Sequence, residues 1–320
     1  MKKVVIAFLL SVVYTSTYSQ PKEFEGVIVY KVEVKSKMPG ISDRTRRNVL
    51  ALGDSMTTFI KQGNYRQHSG ISDVYTISKM QKVFMRFTGI DTLFYLDYSF
   101  DTSKLLSVKR PDEQKLIKGF DCKALTVETT VGTYKYFYAP SLYLNPEREK
   151  NNTISRFDVF AKETSSVWLA QTGEFSSYNL SETCIGIEQK KIDDAVFELP
   201  PLPQKPFSFE SVGTAPQFSG KDGWISYLQG KIDGKLGAKY IKIPRKEESA
   251  MQTAIVEFTI SVQGRPVDIK VLNEDEVHPK LAEEAKRVIM ESPRWNPATL
   301  FGEKFPFLMR QPITFQASRQ

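Results

Sequence analysis

Cysteine and histidine are scarce in this chain: its 320 residues include Cys122, Cys184, His68 and His278 and no others of either type. None of the four stands at a recognisable metal-ligand spacing, and neither histidine is placed to activate a thiol. A glycine-rich phosphate loop is also missing. Beyond the first twenty residues no apolar run approaches the roughly 20 residues needed to span a bilayer. Adjacent carboxylates such as Glu283 and Glu284 point away from each other on a helix and are expected to stay solvated. These absences lead us to expect no enzyme, no metal and no cofactor, and to look for function in binding.

The two cysteines leave two readings open. A Cys122–Cys184 disulfide would close a long loop and constrain the unfolded chain by on the order of 4 kcal/mol in the chain-entropy model. Two buried free thiols are the alternative.

The N-terminus has the three-part pattern of a secretory signal. Lys2 and Lys3 precede an apolar run from Val4 to Val13, and Thr15 to Gln20 is small and polar. Residues 1–19 are therefore read as a cleavable signal peptide and the mature protein as periplasmic; an uncleaved inner-membrane anchor is the alternative, for which the run is short. The formal charge of +7 is spread over both halves with acidic residues interleaved. Its one tight cluster, Arg44 to Arg47, reads as a solvated loop or strand end, and no nucleic-acid partner is expected.

About 300 residues exceed what one core usually covers, so two domains are expected. From residue 20 to 200 the pattern is one of short strands. Ile28, Tyr30, Val32 and Val34 alternate with Lys31, Glu33 and Lys35, and strand-like runs follow at 55–60, 74–77, 82–87, 92–98, 124–130 and 133–138. This predicts a large antiparallel sheet, able to curve into a half-barrel. Residues 201–215, with Pro201, Pro203 and Pro206 directly after Pro200, read as a proline-rich linker.

Residues 216–320 form a second α+β unit. Trp224, Tyr227, Leu228 and Ile232 recur at helical spacing; a hairpin follows from Ala254 to Leu272 about the turn Gln263-Gly264-Arg265. Pro279 opens a second helix with Leu281, Ala285, Val288 and Ile289 as its apolar stripe, and 305–316 supplies the last strand. The prediction is two helices against three antiparallel strands, with Trp295 and Phe315 in the core.

Two stretches carry family resemblances. Leu281, Glu284-Ala285, Arg287-Val288, Pro293, Trp295, Pro297, Gly302 and Pro312-Ile313 with Phe315 resemble, in order, the strings of the TonB C-terminal domain family. The opening Pro216-Gln217-Phe218-Ser219-Gly220 resembles its Bacteroidetes form. In the first half, Ile117, Gly119, Phe120, Cys122 and Ala124 resemble the signature of exported Bacteroidetes proteins of the GLPGLI and related families, although the Gly-Leu-Pro-Gly-Leu-Ile string itself is absent.

The first resemblance implies peptide binding by strand addition. The edge it nominates comprises Arg310, Gln311, Pro312, Ile313, Thr314, Phe315 and Gln316, and the partner it implies is an outer-membrane TonB-dependent receptor or another envelope protein. Without a spanning helix or long rigid spacer, energy transduction by this chain alone is not expected. The leading expectation is an exported binding or adaptor protein linked to TonB-dependent transport. The alternative is a periplasmic carrier that holds a lipid or other apolar ligand in the N-terminal sheet, where Tyr134, Tyr136, Phe137 and Tyr138 would either line a groove or serve as ordinary packing.

Overall fold

The computed structural model describes residues 21–38 and 41–319, so the segment read as a signal peptide lies outside the described residues. The alternation over the first strand does what alternation predicts: Ile28, Tyr30, Val32 and Val34 are buried while Lys31, Glu33 and Lys35 face water. This strand, β1 (Gly26–Ser36), is central in a thirteen-stranded sheet. On one side lie β2 (Ser55–Lys61), β3 (Asn64–His68), β4 (Ser72–Ile77), β5 (Lys82–Phe87) and β6 (Leu93–Asp97), each paired with the next. On the other side β12 (Tyr178–Gln189), β11 (Ser166–Phe175), β10 (Gly132–Tyr143) and β9 (Phe120–Thr129) follow in turn; β7 (Leu105–Lys109) and β8 (Gln114–Ile117) both pair with β9.

All these pairs are antiparallel. The parallel exception is β13 (Gln204–Pro206), which adds to β6. The stretch 201–215 is thus not a free spacer along its whole length: Lys205 pairs opposite Phe94, at a sheet edge, where Pro206 can be tolerated.

Two short helices interrupt the strands. Helix α1 (Asp43–Val49) begins at Ser42, whose hydroxyl accepts the Thr45 N–H, and has Asp43 in its first turn. It takes up the basic cluster expected as loop or strand end. A helix of about two turns is too short for its period to be read from sequence. Arg46 is buried there beside the Tyr178 ring, 5.9 Å from its centroid. Helix α2 (Phe157–Thr164) lays Phe160 against Tyr136 and Tyr138, with centroids 4.5 and 6.4 Å away.

The C-terminal unit contains β16 (Ser249–Ile260) paired to β17 (Pro266–Val271) on one side and to β21 (Phe307–Ser318) on the other. Two-residue ladders accompany it: β14 (Gly213–Thr214), β19 (Thr299–Leu300) and β20 (Glu303–Lys304) form one, β15 (Gln217–Phe218) and β18 (Trp295–Asn296) another. The expected helices are α3 (Gly223–Lys231) and α5 (Pro279–Met290). A third short one, α4 (Lys235–Tyr240), lies between them. Ala254, Val256, Phe258 and Ile260 meet Leu281, Ala285, Val288 and Ile289 in the core, with Trp295 and Phe315 buried beside them. Glu284 is an exception to the expectation of solvated helix carboxylates: it is buried, bonded to Arg287, and accepts the Asp233 N–H at 2.9 Å.

The two units are joined by aromatic packing. Phe301, at the tip of the β19–β20 hairpin, sits 4.5 Å from Phe87, and its N–H donates to the Val212 carbonyl at 2.9 Å. Val212 and Phe94 are buried in the same cluster.

Candidate functional site

The nominated edge strand can be read peptide by peptide. In an antiparallel pair, alternate residues direct both backbone groups toward the partner strand, and those between direct them away. The Arg319 N–H donates to the Glu248 carbonyl at 2.9 Å, one step beyond the Ser318–Ser249 pair. Odd-numbered residues of β21 are therefore bonded to β16, and even-numbered ones face outward. Ile255, opposite Pro312, agrees: its carbonyl accepts from Leu272 and its N–H donates to Asn273, both on the β17 side.

The outward peptide groups belong to Leu308, Arg310, Pro312, Thr314 and Gln316. Pro312 has no N–H to offer, and its carbonyl accepts the Gln311 side-chain amide at 2.8 Å. Gln316 is not open: α4 packs against it so closely that a methyl group on Gly237 would strike the Gln316 carbonyl. The exposed backbone of this edge thus runs from Leu308 to Thr314 and is interrupted at Pro312.

The nominated side chains divide between two faces. Ile313 and Phe315 are core residues. Arg310 donates to Glu257 at 2.8 Å, and Thr314 shares a hydroxyl hydrogen bond with Thr253 at 2.9 Å. Lys270 and Arg310 together hold the Glu257 carboxyl below the usual carboxylate range. Gln311 accepts from the Trp224 indole at 2.8 Å. These contacts fix the strand's side chains and leave the outward backbone of Leu308, Arg310 and Thr314 unpaired.

A second site was not visible as a motif. The inner faces of β1–β6 and β10–β12 enclose a cavity of about 380 Å³, which shows that the sheet is curved without closing. Apolar side chains dominate the wall: Ile60, Val74, Val83 and Met85 come from one half of the sheet, and Trp168 and Leu180 from the other. Ile154, in the turn before α2, and Phe157, the first residue of α2, cover it. Tyr136 lines the cavity, while Phe137 belongs to a separate cluster with Ile28 and Ala139, so the aromatic run divides between lining and packing.

Polar groups share this wall, Gln67, Thr76 and Ser155 in its more exposed part and others deeply placed. Glu182, Gln171 and Tyr136 stand side by side on β12, β11 and β10, and the Gln171 amide donates to the Glu182 carboxylate. Glu182 is 4% exposed, and burial pushes its carboxyl up to about 7. Thr58 (3% exposed) and Asn152 (5%) also line the cavity, yet the Thr58 hydroxyl and the Asn152 carbonyl oxygen have no hydrogen-bond partner. The Asn152 amide donates to Glu149 at 3.1 Å, and burial raises that carboxyl to about 7 as well. A signal for Glu182 does exist in the sequence: it sits between Leu180 and Cys184 on one face of a strand, an apolar row with one acid.

Cys122 and Cys184 are both buried and unbonded. Burial pushes the Cys122 thiol up to about 11. Among the described residues no group of three or more histidine, cysteine or acidic side chains converges as a metal site would require, and no helix is long and apolar enough to cross a membrane.

Comparison with known proteins adds one positive result. Residues 247–317 match the family model described as the C-terminal of the Gram-negative bacterial TonB protein. This stretch holds β16, β17, α5 and β21, and it relates the chain to TonB-type envelope proteins. No curated protein matches the chain. Among solved structures, two crystal forms of PNGF-II align at 10% identity with TM-scores of 0.35 and 0.34, covering 74% and 72% of this chain. The chain spans less than half the length of those proteins, 43% and 42%.

Proposed function

We propose that this chain is an exported periplasmic adaptor whose C-terminal unit docks an extended segment of an outer-membrane TonB-dependent receptor or another envelope protein along β21, without bond chemistry of its own. The observation that carries the reading is the unpaired outward backbone of Leu308, Arg310 and Thr314 on a strand whose other side is fully paired to β16. Such an edge gains main-chain hydrogen bonds from an added strand, and flanking side chains select the sequence. The family match over 247–317 supports the same reading.

The test is capture from the native envelope with the full chain and with Thr314→Pro, which removes an outward N–H and leaves the β16 ladder intact. Recovery of TonB-dependent receptors by the wild type and their loss with Thr314→Pro is the expected result. Equal recovery by both chains would overturn edge docking.

A second reading has its own observation. The cavity of about 380 Å³ lies within the range of small-molecule sites, and its lining is mainly apolar. This favours a carrier role for an apolar ligand in the N-terminal sheet, which is compatible with docking at β21.

A further inference from the structure

The cavity lining specifies more than an apolar ligand. We propose that it takes an uncharged single-chain amphiphile whose head carries a hydrogen-bond donor, a fatty alcohol or a hydroxyl-bearing ester of the same length, with the chain against Val74, Val83 and Met85. This rests on the carrier reading above and narrows it.

Three features of the lining lead to that class. First, no lysine, arginine or histidine lines the cavity, whereas Glu182 does. An ionised carboxylate or phosphate would enter a low-dielectric space with no countercharge and an acid already present, a costly burial. Second, three buried polar atoms of the lining residues lack partners, the hydroxyls of Thr58 and Tyr65 and the Asn152 carbonyl oxygen. An amide oxygen can only accept, and the Asn152 amide already donates to Glu149, so the partner that its oxygen lacks must donate. An alkane cannot do so; a hydroxyl can. Third, the size is that of one short chain. A cavity of ~150 Å³ holds benzene, so about 380 Å³ holds on the order of fifteen non-hydrogen atoms, too few for a two-chain lipid.

Trp168 lines the cavity and provides a local probe. The experiment is quenching of its emission in the full exported protein by ω-bromododecanol, ω-bromododecanoate and bromododecane at pH 8, with Trp168→Phe identifying the signal. The alcohol is expected to bind at least tenfold more tightly than the carboxylate and severalfold more tightly than the bromoalkane, with Thr58→Val removing part of that last advantage. Val74→Phe, which fills the cavity, is expected to abolish quenching while the protein still melts cooperatively. If the carboxylate or the bromoalkane binds as well as the alcohol, the assignment of the head group is overturned and the carrier reading survives. If none of the three quenches Trp168, or Val74→Phe quenches like wild type, the cavity is not the binding site and both fall. The docking reading is untouched by any of these results.

Discussion

Gln171 donates its side-chain amide to the carboxylate of Glu182 across two neighbouring strands, on the inner face of the sheet and out of reach of bulk water. Burial favours the neutral acid, so the folded protein binds this proton more tightly than the unfolded chain does. The sign follows directly. A carboxyl whose folded value is raised to about 7 contributes no penalty below its unfolded value near 4.5; the penalty grows as pH rises between the two and is complete above about 7. Glu149 behaves in the same sense. Stability should therefore decline from pH 5 to pH 8, and Glu182→Gln should remove part of the decline, on the order of 3 kcal/mol at most. Urea midpoints of both proteins across that range check this; parallel curves would show that Glu182 does not titrate on folding.

The unpartnered Thr58 hydroxyl makes a separate prediction about stability. Valine has nearly the shape of threonine without the group that burial strips of water. Thr58→Val should raise the unfolding free energy by about 1 kcal/mol. A fall of similar size in chemical denaturation would mean that the hydroxyl is already satisfied.

How much of this was legible in the sequence varies with the physics of each element. β1 and β16 were readable because one face is apolar throughout, and α5 because its stripe recurs at 3.6 residues. β3, with Asn64, Arg66 and Gln67, was not: its place is set by pairing with β2 and β4, and its own half-buried pattern carries no apolar row. β11 and β12 are hard to read for a related reason, since Gly173 and Gly186 break their runs and the inner face of β12 carries Glu182. Residues 310–316 lie within β21, whereas α4, which lies against Gln316, has too few apolar positions to announce itself. Curvature and the cavity depend on contacts between strands far apart in the chain, such as Tyr30 with Trp168, and no local pattern encodes them.

The buried cysteines lead to a measurement of thiol reactivity. Both are unbonded, and the Cys122 thiol is shifted to about 11, so little thiolate exists at neutral pH. Native protein should react slowly with a disulfide reagent, and protein unfolded in guanidinium should release two equivalents at once. Zero equivalents after unfolding would demonstrate a disulfide instead.

The alternation along β21 can be tested with proline alone. At Thr314 the N–H faces away from β16, so proline there removes no ladder hydrogen bond and costs only what its fixed φ imposes. At Ile313, one residue earlier, the N–H is directed at Ala254, and proline both breaks that bond and disturbs a buried side chain. Ile313→Pro should destabilise the protein by about 3 kcal/mol or more, whereas Thr314→Pro should cost clearly less, as denaturant midpoints will show. Hydrogen exchange gives the same contrast without substitution: the amides of Leu308, Arg310 and Thr314 should exchange rapidly in the free protein, while those of Met309, Gln311 and Ile313 are protected. If the protected set proves to be the even-numbered one, the register is wrong by one residue and the outward edge assigned to β21 cannot be the docking surface.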